Sequence, residues 1–320
     1  MKDNIIIIAG DPNSINSEIL YKCWNRLKLN IKKKIFIIGN YELLNNQFKK
    51  LRYPINLKKV KTLNDDDYNK LRIIDINLRF KDPFKVNTSD VSKYIRKSLS
   101  IAHKLAQFKN VKGIINCPIN KQIFHPKKIG VTEYLASKNN IGIDSEVMLI
   151  KNDNYAVSPI TTHVDLKDVV KNINKKKIVK KILTINTWFK KFKNKKPKIC
   201  ILGLNPHNAE LRKNSEEKRF IIPAIKELLQ LKINIKGPMV ADTFFIRDYK
   251  DYDVVVGMYH DQVLSPFKSL FGFNLINITL GLQYHRLSPD HGTAKNLIGK
   301  NKANILSLLK CINFLNNLKR

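Results

Sequence analysis

Short apolar runs alternate with amphipathic stretches along the chain. The first run, Ile5–Ala9, is followed by a polar turn and by a helical pattern that extends through Leu29. The next run, Lys34–Ile38, is followed by a second helical pattern that begins near Tyr41. Runs that are apolar throughout are typical of strands buried on both faces of a parallel sheet. The alternation of such strands with helices therefore predicts an α/β fold.

The same pattern continues through the rest of the chain. A long amphipathic helix is predicted from Thr88 or Ser89 to near Phe108, and a helix is predicted over Glu216–Leu231. A loop is predicted at Gly237–Thr243. Further predicted elements are strands at Gly113–Asn116, Val147–Ile150, Tyr155–Val157, Ile199–Gly203 and Val254–Met258, a basic helix that ends near Lys193, and a C-terminal helix that carries Ile305, Leu309 and Ile312.

The length and composition indicate a globular protein with two lobes. The chain has 320 residues, which is more than a single hydrophobic core usually supports, and 43% of them are hydrophobic. Large chains commonly divide into lobes for this reason. We therefore expect a ligand-binding cleft between two α/β lobes.

A large positive charge accompanies this composition. The formal net charge is +33 and the isoelectric point is near 10.0. The lysines are spread over the whole chain, which indicates a general bias in residue usage rather than a nucleic-acid-binding tail. A positive field of this kind favours anionic small substrates. We expect no nucleic-acid partner.

Membrane insertion and disulfide bonding are not expected. The apolar runs are far shorter than the ~20 residues that a transmembrane helix needs, and the N-terminus shows no signal-peptide pattern. The four cysteines are scattered without metal-binding spacing: Cys23, Cys117, Cys200 and Cys311. Reduced thiols in a cytoplasmic protein are the simplest interpretation.

One stretch near the C-terminal third combines a buried strand with reactive side chains. The apolar run Val254–Met258 leads directly into His260 and Asp261. Ligands collect at the carboxyl ends of strands in open α/β sheets, so these two side chains are candidates for metal binding or proton transfer. Other polar groups that suit a binding site follow in the same stretch: Lys268, Asn277, Arg286 and Asp290–Ala294.

Two more histidines occupy equivalent positions. Like His260, both His163 and His207 follow an apolar run and lie in a polar loop. Because strand ends of one sheet converge in space, the three imidazoles are candidate ligands of a borderline divalent ion at an open, catalytic site. Asp165 and Asp261 are candidate partners that would orient the rings.

The ordered motifs of the chain resemble those of the 4-hydroxythreonine-4-phosphate dehydrogenases, which are NAD-dependent enzymes of pyridoxal phosphate biosynthesis. The resemblance runs nearly from end to end. The motifs that carry it are Gly10-Asp11-Pro12, Thr132-Glu133-Tyr134-Leu135-Ala136, Thr161-Thr162-His163, Gly203-Leu204-Asn205-Pro206-His207, Ala241-Asp242-Thr243, Met258-Tyr259-His260-Asp261-Gln262 and Asn277-Ile278-Thr279-Leu280-Gly281-Leu282.

The resemblance implies a fold and an assembly. The fold would be a three-layer α/β/α fold like that of isocitrate and isopropylmalate dehydrogenases, with a cleft between two lobes. We place the outer lobe at residues 1–128 and 290–320, and the central lobe, with the metal site and dimer interface, at residues 129–289. In the implied homodimer, His163 and His207 of one subunit hold a divalent metal ion (Zn, Co or Mg) together with His260 of the other.

The resemblance also implies site residues. The segment Asp290–Ala294 is similar to the cofactor loop of isocitrate and isopropylmalate dehydrogenases, so His291, Gly292, Thr293 and Ala294 are expected to bind NAD. Candidates for the general base, by residue type alone, are Asp242, Asp261 and Lys121. The substrate-binding positions are Val131, Thr132, Lys268, Asn277 and Arg286, which would contact a phosphorylated hydroxy amino acid.

The chain departs from the family pattern at some positions. Ser14, Asn16 and Ser17 replace flexible positions of the first loop, and Val131 stands where the family carries a substrate-binding histidine. The expected substrate is 4-phosphohydroxy-L-threonine, oxidised to a β-keto acid that decarboxylates. Two alternatives are a related dehydrogenase acting on threonate or erythronate 4-phosphate, and a non-catalytic basic binding protein on the same scaffold.

Overall fold

The computed structural model describes residues 3–120, 123, 130–138 and 145–318. The chain divides into two compact units. One comprises the described residues of Met1–Asn139 together with Gln283–Leu318, and the other comprises those of Asn140–Leu282. The sequence predicts the boundaries at 128/129 and 289/290. In the structure, the helix that follows residue 130 and the strand that starts at residue 285 both group with the first unit.

Strands and helices alternate along the described chain. In chain order the elements are β1 (Asn4–Ile8), α1 (Asn16–Arg26), α2 (Leu29–Lys32), β2 (Ile35–Gly39), α3 (Tyr41–Lys50), β3 (Leu57–Val60), β4 (Leu71–Asp75), α4 (Thr88–Ala106), β5 (Val111–Asn116), α5 (Val131–Lys138), β6 (Val147–Lys151), β7 (Ala156–Thr161), α6 (Lys175–Lys193), β8 (Ile199–Leu202), α7 (Ile222–Gln230), β9 (Ile235–Met239), α8 (Ala241–Phe244), β10 (Val254–Tyr259), α9 (His260–Phe271), β11 (Ile276–Leu280), β12 (His285–Pro289) and α10 (Leu306–Asn317).

The first unit contains a parallel sheet with strand order β3-β4-β2-β1-β5-β12. Every residue of β1 and β2 is buried. Helix α4 packs against β1, β2 and β5, and α10 packs against β1, β5 and β12. Burial of this kind explains why Ile5–Ile8 and Ile35–Ile38 are apolar throughout rather than alternating between apolar and polar residues.

The second unit contains strands in the order β11-β6-β7-β10-β8-β9. Strand β6 is antiparallel to both of its neighbours, β11 and β7. Strands β7, β10, β8 and β9 are parallel to one another. The apolar runs Val254–Val256 and Ile199–Leu202 are buried in the middle of this parallel group. All four parallel strands therefore present their carboxyl ends on the same side of the sheet.

The predicted α/β fold class is confirmed, and some element boundaries are corrected. The predicted loop at Gly237–Thr243 is wrong at both ends, because β9 extends to Met239 and α8 begins at Ala241. Pairing of β9 with β8 draws this glycine- and proline-containing segment into the sheet. The predicted helix over Glu216–Leu231 begins with a π-helical turn, Glu217–Ile221, before α7.

The cysteines form no disulfide. All four are free and buried. Burial raises the pKa of each thiol, that of Cys23 to about 12, so these groups stay protonated at neutral pH. Among the described residues, no helix is long and apolar enough to cross a membrane.

Candidate functional site

Three parallel strands of the second unit carry the predicted metal ligands. Strand β7 leads to His163, β8 leads to His207, and β10 leads to His260, the first residue of α9. The strands are adjacent in the order β7-β10-β8, and Thr161 is in register with Tyr259. The predicted convergence of the three strand ends within one sheet follows from this pairing.

His163 and His260 are neighbours. Their ring centroids lie 6.1 Å apart. Zn–N bonds of about 2.0–2.1 Å place the centres of two imidazoles that share one ion roughly 5–6 Å apart. The spacing of these two rings lies just beyond that range, and the resemblance takes His260 from the other subunit. The imidazoles have the donor chemistry for a divalent ion, and their sharing of one ion stays a prediction.

Asp261 orients the ring of His260. The Nδ1 atom of His260 lies 2.6 Å from Oδ1 of Asp261. A carboxylate can only accept a hydrogen bond, so Nδ1 is the donor and Nε2 is left as the nitrogen that would bind a metal. This arrangement matches the role that the sequence suggested for Asp261 as a partner of a metal-ligating histidine.

His207 lies in a loop of unusual backbone conformation. Five consecutive residues without glycine, His207–Leu211, have positive φ angles between 42° and 56°. Left-handed backbone at such residues is strained and persists only where surrounding contacts hold it. The exposed ring of His207 has Nε2 at 3.8 Å from Oδ2 of Asp242 and Nδ1 at 3.7 Å from Oε1 of Glu210.

The three histidines do not form a complete metal cluster within one chain. Over the described residues, no group of three or more histidine, cysteine, aspartate or glutamate side chains lies close enough to hold a metal ion. Two of the imidazoles are thus brought together and the third is held beside Asp242. The predicted triad stays a prediction for the assembled protein.

A buried carboxylate supports the segment that leads to His207. Glu217 is fully buried, and its Oε1 accepts hydrogen bonds from the N–H groups of Leu204 and Asn205, both at 2.9 Å. The side-chain amide of Asn205 donates to Oε2 at 3.1 Å. Burial alone would raise the pKa of this carboxyl, but the hydrogen bonds outweigh burial and lower the pKa below its ordinary 4.5. Glu217 is therefore a carboxylate at neutral pH.

Two predicted substrate-binding residues meet in the first unit. Arg286, in β12, is buried, and its Nη1 donates to Oγ1 of Thr132 at 3.2 Å. Its Nε donates to Oδ1 of Asn116 at 2.8 Å. Thr132 is the second residue of α5 and Val131 is the first. The predicted positions Thr132 and Arg286 are thus in contact, and Val131 is the sequence neighbour of Thr132.

Two other predicted substrate-binding residues lie away from the histidines. Lys268 is exposed near the end of α9, eight residues after His260, or about 12 Å along a helix axis. Asn277 pairs with Ile150, which in turn pairs with Val157 near the start of β7. Asn277 therefore lies toward the opposite end of the sheet from His163.

The predicted cofactor loop contacts the first loop of the chain. The carbonyl of Thr293 accepts a hydrogen bond from the N–H of Ile15 at 3.2 Å. Ala294 has a left-handed backbone, and Nδ1 of His291 lies 3.0 Å from the carbonyl oxygen of Gly292. The loop that follows β1 is thus tied to the segment where NAD is expected.

Side chains fix the conformation of that first loop. Nδ2 of Asn16 donates to the carbonyl oxygen of Pro118 at 2.8 Å and also to that of Asp11. Gly10 has a φ of +78°, and the Asn16 amide packs over the position that a Cβ would occupy there. The hydroxyl oxygen of Ser14 accepts a hydrogen bond from the N–H of Asn16, the first residue of α1, at 3.1 Å.

The two described candidates for the general base lie beside different histidines. Asp261 is engaged with His260, and Asp242 lies beside His207. The third candidate, Lys121, lies outside the described residues.

The sequence assigned no individual role to three residues that organise these clusters. Asn116 orients Arg286, Glu217 holds the segment before His207, and Gln262 accepts from the N–H of Met258. Asn116 could have been found as a polar residue at the end of a buried strand. Glu217 carries no such signal, because it reads as an ordinary charged helix residue.

Comparison with known proteins reveals full-length relatives. The family model of the pyridoxal phosphate biosynthetic protein PdxA matches residues 31–315 of the chain. A 4-hydroxythreonine-4-phosphate dehydrogenase of Sulfurihydrogenibium sp. is 40% identical over 99% of this chain and 98% of the relative. A protein of Oceanobacillus iheyensis, named as a candidate D-threonate 4-phosphate dehydrogenase, is 32% identical over 97% of this chain and 96% of its own.

Solved structures agree with the sequence relatives. The crystal structure of a 4-hydroxythreonine-4-phosphate dehydrogenase from Klebsiella pneumoniae has a TM-score of 0.82 with 27% identity, and the match covers 98% of each chain. A terephthalate dihydrodiol dehydrogenase from Burkholderia xenovorans has a TM-score of 0.65 at 19% identity, which shows a shared fold.

Substitution of Glu217 should change how the free energy of unfolding depends on pH. We expect Glu217→Gln to lower the free energy of unfolding by about 1–3 kcal/mol at pH 7, because the N–H groups of Leu204 and Asn205 lose a charged acceptor. The folded-state pKa is lowered, so the stabilisation is present above pH 4.5 and is lost as the pH falls through the folded value. Denaturant unfolding at several pH values measures this.

A neighbouring carboxylate provides the matched control. Glu216 accepts only from the side-chain amide of Asn205 among the hydrogen bonds described, so Glu216→Gln should have a smaller effect at pH 7. A Glu217→Gln difference that stays constant from pH 7 to pH 3 would contradict the proposed charged role.

Proposed function

The chain belongs to the family of the pyridoxal phosphate biosynthetic protein PdxA, and we propose that it oxidises 4-phosphohydroxy-L-threonine with NAD and a bound divalent metal ion. The secondary alcohol becomes the ketone of a β-keto acid, which loses carbon dioxide to give 3-amino-2-oxopropyl phosphate. The match of the family over nearly the whole chain carries this proposal. The placement of three histidines after adjacent parallel strands supports it.

The histidines are the proposed metal ligands. A divalent ion held by these residues would lower the pKa of the substrate alcohol and polarise the carbonyl product, and NAD would supply the hydride acceptor. His163 and His260 would bind through ring nitrogens, and Asp261 would keep His260 in the tautomer that presents Nε2. His207 would supply the third imidazole.

Cationic and hydroxyl groups would bind the anionic ends of the substrate. Arg286 suits a phosphate or carboxylate because its planar guanidinium donates several hydrogen bonds in fixed directions. Asn116 and Thr132 hold two of its nitrogens and so set its orientation. Lys268 would supply a second cation, and Asn277 an amide, in the assembled protein.

Proton transfer is proposed for Asp242. Of the two described carboxylate candidates, Asp261 is occupied in orienting His260. Asp242 is exposed, and its Oδ2 lies 3.8 Å from Nε2 of His207, so it borders the proposed metal ligands. A general base must reach the hydroxyl proton of the bound substrate, and Asp242 is the better placed of the two.

A homodimer is the proposed assembly. Large apolar side chains are exposed on the second unit, among them Leu166, Ile246 and Phe273. Contiguous patches of such side chains mark interfaces, and these residues would be buried together in the proposed dimer. A second subunit would also bring further side chains to a site that lacks a complete ligand cluster within the described part of one chain.

A second substrate remains an alternative. The relative named for D-threonate 4-phosphate covers nearly the whole chain, and Val131 replaces a histidine expected at the substrate. Threonate or erythronate 4-phosphate would therefore be the substrate of a closely related dehydrogenase. A non-catalytic basic binding protein is less favoured than a dehydrogenase, because packing of the fold does not require histidines at three loop ends.

The reaction and its metal dependence can be measured together. We expect NADH production from 4-phosphohydroxy-L-threonine to require a divalent metal ion and to exceed production from threonate and erythronate 4-phosphate. Each of His163→Ala, His207→Ala and His260→Ala should abolish turnover while leaving the melting temperature nearly unchanged, because all three residues lie at strand ends rather than in the core. Unchanged turnover after chelation and in all three variants would refute the metal proposal.

Mixing inactive variants tests how the ligands are divided between subunits. If His163 and His207 act with the other subunit's His260, a mixture of His163→Ala and His260→Ala proteins should recover part of the activity. The control mixture, His163→Ala with His207→Ala, should recover none. In the other possible arrangement, His163 and His260 of one subunit, whose rings are neighbours in one chain, bind the ion together with the other subunit's His207. In that case only the control mixture recovers activity.

Restoring a histidine at position 131 tests the substrate. Val131 is adjacent to Thr132, which contacts Arg286, so a histidine there would add a donor to the same cluster. A hydrogen bond to a charged group is worth about 1.5–3 kcal/mol, or roughly 10- to 150-fold in affinity. We expect Val131→His to lower KM for 4-phosphohydroxy-L-threonine more than it changes kcat.

The matched control for that variant is Val131→Leu, which stays apolar and should leave KM unchanged. If Val131→His leaves this KM unmoved and impairs turnover of another phosphorylated hydroxy acid, the substrate assignment is wrong.

A further inference from the structure

The carboxamide of Gln262 joins the ends of two strands. Its Oε1 accepts from the N–H of Met258, in β10, at 2.7 Å. Its Nε2 donates to the carbonyl oxygen of Gly203, the residue after β8, at 2.6 Å. Both ends of the side chain are therefore used, one on the strand that leads to His260 and the other on the strand that leads to His207.

This contact extends the sheet where direct pairing stops. The register of β10 with β8 ends at the pair Val256 and Ile201. Continued by two residues, the same register would set Met258 opposite Gly203. The Gln262 carboxamide bridges these two residues in place of a direct backbone hydrogen bond, so it sets how far the two strands separate at their carboxyl ends.

Close packing leaves the carboxamide little freedom. A Cβ at Gly257 would lie 2.9 Å from Oε1 of Gln262 and 2.6 Å from Cγ1 of Val263, which is fully buried. A Cβ at Gly203 would overlap the side chain of Asn208, in the left-handed loop. The absence of a side-chain carbon at Gly257 makes room for the bridge, and its absence at Gly203 makes room for Asn208.

The loop that carries His163 is tied to the same point. The hydroxyl of Thr161 donates to the carbonyl oxygen of Met258 at 2.8 Å. Met258 is thus bound through its carbonyl to β7 and through its N–H to Gln262. The three segments that carry the proposed metal ligands are connected by this short chain of hydrogen bonds.

From this bridge we propose that Gln262 is a positioning residue that holds in place both the turn at His260 and the loop at His207, and so sets the affinity of the assembled site for a divalent metal ion. The inference rests on the metal dependence proposed above. Residues that orient metal ligands without touching the metal typically contribute 10- to 100-fold to metal affinity. The Gln262 bridge acts in the same way, through the backbone rather than through an imidazole.

Titration of the full-length protein with Co2+ tests this without measuring catalysis. Visible absorption reports both the affinity and the coordination geometry of the bound ion. We expect Gln262→Met, which keeps the length of the side chain and removes both hydrogen bonds, to weaken Co2+ binding about 10- to 100-fold and to change the spectrum. Gln262→Asn, whose amide is one methylene too short to span both partners, should also weaken binding.

Another glutamine that bonds to backbone groups supplies the matched control. Gln47 donates from Nε2 to the carbonyl oxygens of Pro12 and Pro83 in the first unit. Gln47→Met should lower the melting temperature and leave Co2+ affinity unchanged. Equal weakening by Gln47→Met would mean that general destabilisation explains the loss, and the positioning role would be overturned.

The remaining outcomes separate this inference from the proposed function. Wild-type affinity and spectrum in Gln262→Met, with binding abolished in His163→Ala, would overturn the role of Gln262 and leave the metal site standing. No Co2+ binding by the unsubstituted protein would instead overturn the metal dependence itself. If Gln262→Met does not fold, Gln262→Asn carries the same comparison.

Discussion

The parallel pairing of β7, β10 and β8 is the constraint on which the candidate site depends. Parallel strands in register end on the same side of a sheet, so whatever follows each strand is brought into one region. Thr161 and Tyr259 are directly paired, which places the residues that lead to His163 and His260 side by side. The 6.1 Å separation of these two rings is a direct consequence.

Strand pairing alone does not set the conformation of the segment after β8, which carries His207. The segment after β8 turns through five left-handed residues, and such backbone is stable only when other groups hold it. Glu217 accepts from the N–H groups just before the turn, and the Asn208 amide donates to the carbonyl oxygen of Pro238 within it. A buried carboxylate is costly unless hydrogen bonds satisfy it, and here the satisfied carboxylate also shapes the loop.

The first unit uses side-chain amides for a similar purpose. Asn16 joins the loop after β1 to the loop after β5, and Asn116 holds the guanidinium of Arg286. Both amides are buried and both act at the carboxyl ends of parallel strands. Arg286, a predicted substrate-binding residue, and the loop after β1 are thereby held by short polar side chains where flexible glycines would leave the backbone free to move.

The sequence by itself determined the fold class, the family and the identity of the candidate ligands. Fully apolar runs specify buried parallel strands, and the motifs that follow them are local and can be read directly. Only the tertiary structure decided which of these residues meet. Strand order sends Asn277 toward the end of the sheet opposite His163, and about two turns of α9 separate Lys268 from His260. The partnerships of Glu217, Asn116 and Gln262 join residues distant in sequence, and strand order and packing, which no local pattern encodes, create them.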